Sequence, residues 1–371
     1  MKHNSTRNPG IDAAFFLQDL SGGGAEKIMT SLANEFVSRG LKIDFVLVQA
    51  KGVNLKFLYE EVRVIDLKAK NTYTCLPALI RYLNQTRPPI LLSSLDLTNL
   101  TALIARNISR VNTRLVIRID NIVSSQKRPF FKKRLEKLLL STLYPWADDI
   151  VAISKNVAKD IIEYAGLSAA KVHVTYNPVI TPDLLNKAKE DAGHVWFKPG
   201  QPPVILGAGR LTEQKDFKTL LKAFAILSRK MDTRLIILGE GELRSELETV
   251  TRRLGIEKDV DLHGYVENPY SFMRQSKAFV LSSKWEGSPS VMIAALACGC
   301  PVISTDCPGG VREILADGVY GDLVPMGDVA ALAEAIEKVL ERGGKQVTPN
   351  WLDQFSIENV TDQTMKVLKL S

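Results

Sequence analysis

The sequence predicts an α/β protein with two doubly wound, parallel-sheet domains of the Rossmann-like type. Short apolar strands alternate with amphipathic helices along the whole chain, which is the pattern of consecutive βαβ units. The 371 residues exceed one typical core, and a hydrophobic content of 45% can fill two. Glycine-rich or acidic turns follow several of the strands, as expected where a parallel sheet meets its ligand.

The first predicted strand, residues 13–17 (AAFFL), leads into a glycine-rich turn and an amphipathic helix. Gly23 and Gly24 in this turn let the backbone approach a ligand at a helix N-terminus, where negative charge is favoured. Strands at residues 43–48, 62–67, 90–93 and 115–119 then alternate with helices at 76–84 and 99–107. The strand 115–119 ends in Asp120, which either contacts a ligand at the carboxyl edge of the sheet or forms a plain Asp-Asn turn.

The most basic segment of the chain spans residues 127–140. It combines aromatic side chains with cations, namely Phe130 and Phe131 with Lys127, Arg128, Lys132, Lys133 and Arg134, and continues as an amphipathic helix. Such a helix can lie in an anionic membrane interface, where each cation contributes about 1 kcal/mol. In the alternative, the cations are solvated while Leu135, Leu138, Leu139 and Leu143 pack on the sheet.

The positive charge is concentrated in the first half of the chain. Residues 1–177 hold 25 Lys and Arg against 15 Asp and Glu, which leaves 23 against 26 in the remainder of a chain of net charge +7. The asymmetry suggests an anionic partner for the first half, such as a membrane surface, a phosphorylated acceptor or nucleic acid. Because no nucleic-acid-binding module is recognised, we do not expect nucleic acid.

The second half opens with the strand 204–208, followed by glycines, Arg210 and Lys215 before an apolar helix. Arginine binds phosphate in a bidentate fashion and lysine supplies a point charge, so this turn can hold a diphosphate. The strand 234–238 leads to Gly241, and the strand near 260–264 leads to Tyr265 and Val266. Each of these turns falls at the carboxyl end of a predicted strand.

The stretch 282–304 combines an acidic loop with a helix start between two buried strands. Glu286 precedes Ser288 and Ser290, and the latter two offer helix-start chemistry. A carboxylate therefore lies beside a helix N-terminus at the carboxyl edge of the sheet, where ligands bind in open α/β folds. An ordinary βαβ unit with a solvated Glu286 is the alternative.

This stretch resembles the signature region of the retaining glycosyltransferases of family 4, which have the two-domain GT-B fold with an inter-domain cleft. Those enzymes carry a Glu, seven residues and a second Glu in this context. Glu286 matches the first, whereas Ala294 stands where the second is expected. The resemblance covers residues 13–370 and is most specific from Gly209 to Glu313.

The resemblance implies transfer of a sugar from a nucleotide diphosphate donor, a UDP-sugar, to a membrane-linked saccharide or polysaccharide acceptor with retention of configuration. Glu286 would hold sugar hydroxyls, and Asp120 lies where many relatives have a His. The implied donor-binding residues are Gly23, Gly24, Arg210, Lys215, Gly241, Tyr265, Val266, Ser288, Ser290, Val291 and Ala294. No metal or cofactor is expected, because the cations would stabilise the leaving diphosphate.

Two other functions remain open. The missing second carboxylate at Ala294 would fit a catalytically impaired nucleotide-sugar-binding protein. A nucleotide-dependent oxidoreductase would share the alternating pattern, but the G-x-G-x-x-G spacing of the dinucleotide fingerprint fails at Lys27.

The resemblance and composition together predict the domain limits and the location. We expect an acceptor-binding domain at residues 1–180, a linker at 181–202, a nucleotide-sugar-binding domain at 203–355, and a helix at 356–371 that returns to the first domain. The sequence lacks a secretory signal and an apolar run of 18 residues. Four cysteines do not form a disulfide framework, which fits the cytoplasm. We therefore expect a cytoplasmic protein, peripheral on the inner face of the membrane.

Overall fold

The computed structural model describes residues 10–124 and 129–370 and divides the chain into two compact units. Unit 1 comprises the residues up to Pro178 and those from Ile357 onward, and unit 2 comprises Val179–Ser356. Each unit contains one parallel sheet with helices in its crossover connections. The predicted fold class, two doubly wound parallel-sheet domains, is confirmed.

Unit 1 contains a seven-stranded sheet. Its elements up to the unit boundary are β1 (Ala13–Leu17), α1 (Gly24–Ser38), β2 (Ile43–Leu47), β3 (Arg63–Asp66), α2 (Leu76–Thr86), β4 (Ile90–Ser94), α3 (Asp96–Ser109), β5 (Arg114–Ile119), α4 (Phe130–Leu143), β6 (Asp149–Ala152), α5 (Lys155–Ala165) and β7 (Val172–Val174). The strand order is β3-β2-β1-β4-β5-β6-β7. β1, β2 and β4 are buried along their whole length, as expected for strands covered on both faces.

Unit 2 contains a six-stranded sheet. Its elements are α6 (Pro182–Lys187), β8 (Val204–Ala208), α7 (Phe217–Leu227), β9 (Arg234–Leu238), α8 (Arg244–Leu254), β10 (Val260–Gly264), α9 (Pro269–Gln275), β11 (Ala278–Leu281), α10 (Ser290–Ala297), β12 (Val302–Thr305), α11 (Val311–Ile314), β13 (Asp322–Val324), α12 (Val329–Arg342) and α13 (Pro349–Leu352). The strand order is β10-β9-β8-β11-β12-β13, again all parallel.

The segment predicted as a linker, residues 181–202, is instead part of unit 2. It begins with α6, whose first turn is capped by the Thr181 hydroxyl, which accepts a hydrogen bond from the Leu184 N–H at 3.1 Å. Leu184 is buried. The charge, glycine and proline content of residues 181–202 suggested a linker between two domains. Such a composition does not exclude a packed helix.

The last helix, α14 (Ile357–Leu368), belongs to unit 1, where it packs against α1. Arg39 at the end of α1 forms an ion pair with Asp362 and donates a hydrogen bond of 3.2 Å to the Glu358 carbonyl. Within the ranges that the structure describes, no helix is both long and apolar enough to cross a bilayer.

Candidate functional site

In unit 2, the strand order reverses direction at β8. β9 and β10 extend the sheet on one side of β8, whereas β11, β12 and β13 extend it on the other. In an open α/β sheet, the crevice at the carboxyl ends of the two strands that flank such a reversal is where ligands bind. The loops that follow β8 and β11, residues 209–216 and 282–289, therefore form the candidate site of this unit.

Lys215 and Glu286, one from each of these loops, form a close ion pair. Lys215 Nζ lies 2.5 Å from Glu286 Oε1, and the Ser283 hydroxyl donates a hydrogen bond of 2.5 Å to the same oxygen. The Glu286 residue is only 5% exposed. Among the described residues, no hydrogen bond to Glu286 Oε2 is found, so this oxygen can accept one from a ligand.

Hydrogen bonds between the two loops hold this pair in place. The Ser282 hydroxyl donates to the Lys215 carbonyl at 2.8 Å, and the Lys284 N–H donates to the Gln214 carbonyl at 2.8 Å. The Gln214 side-chain amide donates to the Trp285 carbonyl at 2.9 Å. These hydrogen bonds join the two loops and fix the backbone on either side of the ion pair.

Gly309, in the loop after β12, allows a third loop to contact Glu286. The Glu286 N–H donates to the Pro308 carbonyl at 2.9 Å. A Cβ atom at residue 309 would lie 1.5 Å from the Glu286 carbonyl oxygen, and the φ angle of Gly309 is +124°. Only glycine fits both the space and the backbone angle.

Arg210, in the same loop as Lys215, is exposed, and no ion pair to it is found in the described part of the chain. The N-terminus of α10 begins at Ser290 without a side-chain cap from Pro289. Val291 follows in the first turn, and Ser288 is buried just before it. The arrangement presents an arginine and a helix N-terminus, both of which attract anions.

Gly241, Tyr265 and Val266 follow the carboxyl ends of β9 and β10, as predicted. A Cβ atom at residue 241 would lie 2.5 Å from the Leu211 carbonyl oxygen, so this glycine lets two loops meet. Tyr265 is 71% exposed, and Val266 is half-buried. No side-chain hydrogen bond joins them to Lys215 or Glu286 among the described residues.

Ala294 lies in the second turn of α10 and is 2% exposed. A carboxylate at this position would enter a buried environment. Such a group is tolerated only where a ligand or a neighbouring polar group pairs with it.

In unit 1, the strand order reverses between β1 and β4, so the loops after these strands mark its candidate site. Gly23 precedes α1 and Gly24 opens it. A Cβ atom at residue 23 would lie 2.1 Å from a carboxylate oxygen of Glu26, whose side chain folds back toward the helix N-terminus. The structure thus places an acidic side chain of the protein itself where the sequence suggested an anionic ligand.

Asp120 does not form a plain turn. Its carboxylate accepts a hydrogen bond of 2.5 Å from the Ser94 hydroxyl and lies 2.6 Å from Arg118 Nη1. The Arg118 side chain is 4% exposed, and this burial lowers the pKa of its guanidinium, an effect that Asp120 partly offsets. Ser94 and Arg118 were not predicted from the sequence, although an arginine within the apolar run LVIRI was a signal.

Residues 130–143, which include most of the basic segment, form α4, and several of its apolar side chains are exposed. Lys127 and Arg128 lie outside the described residues, and so does the side chain of Phe130. Phe131 is 77% and Leu138 62% exposed, and the other exposed side chains of the helix include Leu135, Leu139, Lys132 and Arg134. Lys133 is half-buried and donates a hydrogen bond of 2.8 Å to the Ser124 carbonyl. Of the four leucines that the alternative packs on the sheet, only Leu143 is buried.

Asp148 and Asp149 serve structural roles. Asp148 accepts a hydrogen bond of 2.7 Å from the Leu115 N–H, and Asp149 forms an ion pair with Arg114. His173 lies 2.7 Å from the other oxygen of Asp149, so it is a satisfied strand residue.

The four cysteines are free and buried. Burial raises the pKa of the Cys75 thiol to about 11 and that of the Cys298 and Cys307 thiols to about 12, and it raises the pKa of Cys300 further. They are core residues, and none of them forms a disulfide.

In the described part of the chain, one group of side chains has the spacing of metal ligands: His194, Asp261 and His263. Hydrogen bonds explain why these three side chains lie close together, and no metal is needed to explain it. The Trp196 N–H donates to His194 Nδ1 at 3.1 Å, so the neutral ring carries its proton on Nε2, which lies 3.1 Å from Asp261 Oδ2. His263 Nδ1 lies 2.8 Å from the same carboxylate oxygen.

Comparison with known proteins gives a consistent result for the whole chain. Residues 22–181 match the family described as Glycosyltransferase Family 4, and residues 189–349 match the family described as Glycosyl transferases group 1. The chain is 31% identical to N-acetylgalactosamine-N,N'-diacetylbacillosaminyl-diphospho-undecaprenol 4-alpha-N-acetylgalactosaminyltransferase of Campylobacter jejuni, across 88% of this chain and 89% of that protein.

Two further similarities extend over nearly the full length. GalNAc-alpha-(1->4)-GalNAc-alpha-(1->3)-diNAcBac-PP-undecaprenol alpha-1,4-N-acetyl-D-galactosaminyltransferase, also of Campylobacter jejuni, is 27% identical across 96% of this chain and 97% of its own. The crystal structure of HepE from Anabaena in complex with UDP superposes with a TM-score of 0.77 at 20% identity, covering 97% of this chain and 100% of that one.

Proposed function

Because the chain belongs to glycosyltransferase family 4 and has the GT-B fold, we propose that it transfers a sugar from a UDP-sugar to a membrane-linked saccharide with retention of configuration. The observation that carries this proposal is the ion pair of Lys215 and Glu286 at the strand-order reversal of unit 2, with the exposed Arg210 in the same loop as Lys215.

The donor diphosphate binds to Arg210, Lys215 and the N-terminus of α10. Arg210 supplies a guanidinium without an ion pair in the described part of the chain, and the N-terminus of α10 supplies the positive end of a helix dipole. The ammonium group of Lys215 contacts the diphosphate as well as Glu286, and its positive charge stabilises both anionic groups. These groups stabilise the charge that develops on the leaving diphosphate, so no metal ion is required.

Glu286 acts on the transferred sugar. Lys215 and Ser283 hold one carboxylate oxygen, which leaves Oε2 to accept a hydrogen bond from a sugar hydroxyl. The carboxylate also favours the positive charge that builds up on the sugar in the transition state. No nucleophile from the protein is needed, because the departing diphosphate can take the proton of the acceptor hydroxyl.

The acceptor is a saccharide on a membrane-bound carrier, at the inner face of the cytoplasmic membrane. Two relatives carry names that specify undecaprenyl diphosphate-linked saccharides, which supports this class. α4 supports it independently, because Phe131, Leu135 and Leu138 are exposed beside the cations Lys132 and Arg134. Such a surface suits an anionic bilayer.

The test is a transfer assay with undecaprenyl diphosphate-linked saccharide and a panel of UDP-sugars. UDP-N-acetylgalactosamine is the first donor to use, since two relatives are named as N-acetylgalactosaminyltransferases. We expect Glu286→Gln to bind the donor as the parent does and to turn over at least tenfold more slowly. The Lys284→Gln variant, which changes a half-buried lysine of the same loop whose side chain pairs with Glu213, is the control. If the parent and Glu286→Gln turned over equally fast at saturating substrates, Glu286 would have no catalytic role.

A second function, binding without efficient transfer, is favoured by Ala294 alone. If the chain is an impaired nucleotide-sugar-binding protein, donors raise its melting temperature because they bind only the folded state, yet no product forms with any acceptor.

A further inference from the structure

Arg244 connects three parts of unit 2 at the carboxyl edge of its sheet. It is the first residue of α8, and its side chain is 34% exposed. Nη1 lies 2.6 Å from Glu240 Oε1 in the loop after β9, and Nε lies 3.1 Å from Glu248 Oε1 on α8 itself. Nη2 donates a hydrogen bond of 2.8 Å to the Leu262 carbonyl of β10. One guanidinium therefore joins α8, the loop after β9 and the end of β10.

The stability of α8 does not explain an arginine at this position. The N-terminus of a helix is the positive end of its dipole, so a cation in the first turn is disfavoured. Glu246, in the same turn, has the favoured charge. The ion pairs of Arg244 with Glu240 and Glu248 are partly exposed, and such pairs contribute little to stability. The contact that remains to be explained is the one with β10.

β10 is irregular at the point where Arg244 binds it. The register of β10 with β9 shifts between Leu262 and Gly264. An irregularity of this kind bends a strand and redirects the residues that follow, and it is common next to functional sites. Gly264 has a φ angle of +90°, and its carbonyl accepts a hydrogen bond of 2.7 Å from the Gly239 N–H. The shift therefore sets the direction in which the chain continues to Tyr265.

The ion pair of Arg244 and Glu240 lies against Gly264. A Cβ atom at residue 264 would lie 3.0 Å from Glu240 Oε1 and 3.9 Å from Arg244 Nη1. The Glu240 carbonyl in turn accepts a hydrogen bond of 2.9 Å from the Leu211 N–H, in the loop after β8. The loops after β8 and β9 and the end of β10 are thus connected, and Arg244 is a side-chain link between them.

The two residues that follow Gly264 have free backbone groups. Among the described residues, no hydrogen bond to the backbone of Tyr265 or Val266 is found, and Tyr265 is 71% exposed. The family resemblance assigns both residues to the donor. A short loop that binds a ligand through its backbone binds more tightly if it is held in one conformation beforehand.

We propose that Arg244 is a positioning residue, which fixes the end of β10 for the nucleoside of the donor. Its bonds to Glu240 and to the Leu262 carbonyl hold the strand end, and the backbone of the next residues binds the nucleoside. Arg244 itself does not touch the donor. The guanidinium suits this task, because its five N–H donors have a fixed geometry and serve several acceptors at once. This inference rests on the proposed function, since the nucleoside is the uridine of the UDP-sugar.

The test measures binding of uridine, UDP and inorganic pyrophosphate to the parent and to Arg244→Met by calorimetric titration. Methionine retains an apolar stem without the N–H donors. We expect the affinities for uridine and UDP to fall by the same factor, about 3- to 10-fold, because the loop then has to be ordered at binding. Pyrophosphate, which lacks the nucleoside, should bind to both proteins alike. In the transfer assay the KM for the donor should rise while kcat stays that of the parent.

Two further variants separate this role from a merely structural one. Glu248→Gln removes the ion pair within α8 and leaves the bond to Leu262, so uridine should bind to it as to the parent. Arg252→Met removes an exposed arginine from the last turn of the same helix and is the matched control. A general loss of structure in Arg244→Met would instead weaken binding of pyrophosphate and uridine together.

Unchanged affinity for uridine and UDP in Arg244→Met would overturn this inference. An equal loss of pyrophosphate affinity in that variant, or an equal loss of uridine affinity in Glu248→Gln, would overturn it too. Each of these results leaves the proposed function standing, because the parent still binds UDP. A parent that binds neither UDP nor any UDP-sugar would overturn both.

Discussion

Arg210 and Lys215 carry the same charge in different surroundings, and their variants should differ accordingly. Arg210 is exposed, so Arg210→Ala should leave stability unchanged and weaken binding of a UDP-sugar by about 1.5–3 kcal/mol, because a charged contact to phosphate is lost. Uridine, which lacks phosphates, should bind to both proteins alike. Calorimetric titration with the two ligands measures the difference.

Lys215→Ala should weaken donor binding and also lower the melting temperature, because it leaves the buried Glu286 without its cation. Arg229→Ala, which removes an exposed arginine after α7, is the control for both variants. Donor binding at the parent's affinity in both Arg210→Ala and Lys215→Ala would show that the diphosphate binds elsewhere.

Ala294→Glu should raise donor affinity and lower the stability of the free protein. In family 4 the carboxylate expected here binds the ribose hydroxyls, and a charged hydrogen bond of about 1–3 kcal/mol corresponds to about 5- to 150-fold in affinity. Because position 294 is 2% exposed, a Glu is buried there until the nucleotide pairs with it. Thermal melting with and without UDP measures both effects.

Ala294→Leu is the control, since it adds comparable bulk without an acceptor for hydroxyl groups. If Ala294→Glu binds UDP no more tightly than the parent, other residues of the site already compensate for the missing carboxylate.

The sequence identified single residues of the site better than their partners. Arg210, Lys215 and Glu286 could be named because charged residues in turns after buried strands stand out. The contact of Lys215 with Glu286 could not, because it joins loops 71 positions apart in the chain. Ser94 and Arg118 were missed because their roles depend on the register of β4 with β5, which hydrophobic patterning does not specify.

At the element scale, α4 exposes apolar and cationic side chains together, and we expect it to bind anionic bilayers. Replacing Lys132 and Arg134 with Glu should abolish flotation with vesicles that contain phosphatidylglycerol, since each cation near the surface contributes about 1 kcal/mol. Salt should weaken binding of the parent, because exposed charges are screened within about 8 Å at physiological ionic strength.

Two further variants complete this test. Leu138→Ser should weaken binding at both low and high salt, because it removes apolar contact and leaves the charge unchanged. Replacing Lys42 and Arg81 with Glu makes the same charge change at exposed positions outside α4 and is the control. Vesicle binding that is indifferent to salt and to the α4 variants would contradict a membrane role for this helix.

The strands and helices themselves were largely predictable, because buried parallel strands appear as short apolar runs between amphipathic helices. What surrounds an amphipathic helix could not be predicted in the same way. The periodicity of α4 gives it an apolar side, but whether Leu135 and Leu139 find a partner depends on packing that the helix's own sequence does not contain. α6 shows the reverse case, since a polar segment still buries Leu184.

For the whole molecule, the buried thiols predict a loss of stability in alkali. Burial raises the pKa of Cys75, Cys298, Cys300 and Cys307 in the folded state above the ordinary value of 9.0. Thiolates are then favoured in the unfolded chain, so the stabilisation is complete below pH 9 and is lost as the pH rises from about 9 toward 12. Urea unfolding at several pH values measures this slope.

Cys298→Ala should flatten the slope by up to about 1.4 kcal/mol per pH unit, the value for one titrating group. In the folded parent at pH 8, iodoacetamide should label the four thiols only as fast as the protein opens. Rapid labelling of a native thiol, or an unchanged slope in Cys298→Ala, would contradict their burial.

The discontinuous unit 1 has a consequence for synthesis. Its last helix, α14, supplies Asp362 to Arg39, and it follows the whole of unit 2 in the chain. Domains commonly fold from the N-terminus as they leave the ribosome. Here the order of completion is inverted, because unit 2 has emerged in full before α14 does. A chain truncated after Ser356 would contain the whole of unit 2 and a unit 1 that lacks the helix packed on α1.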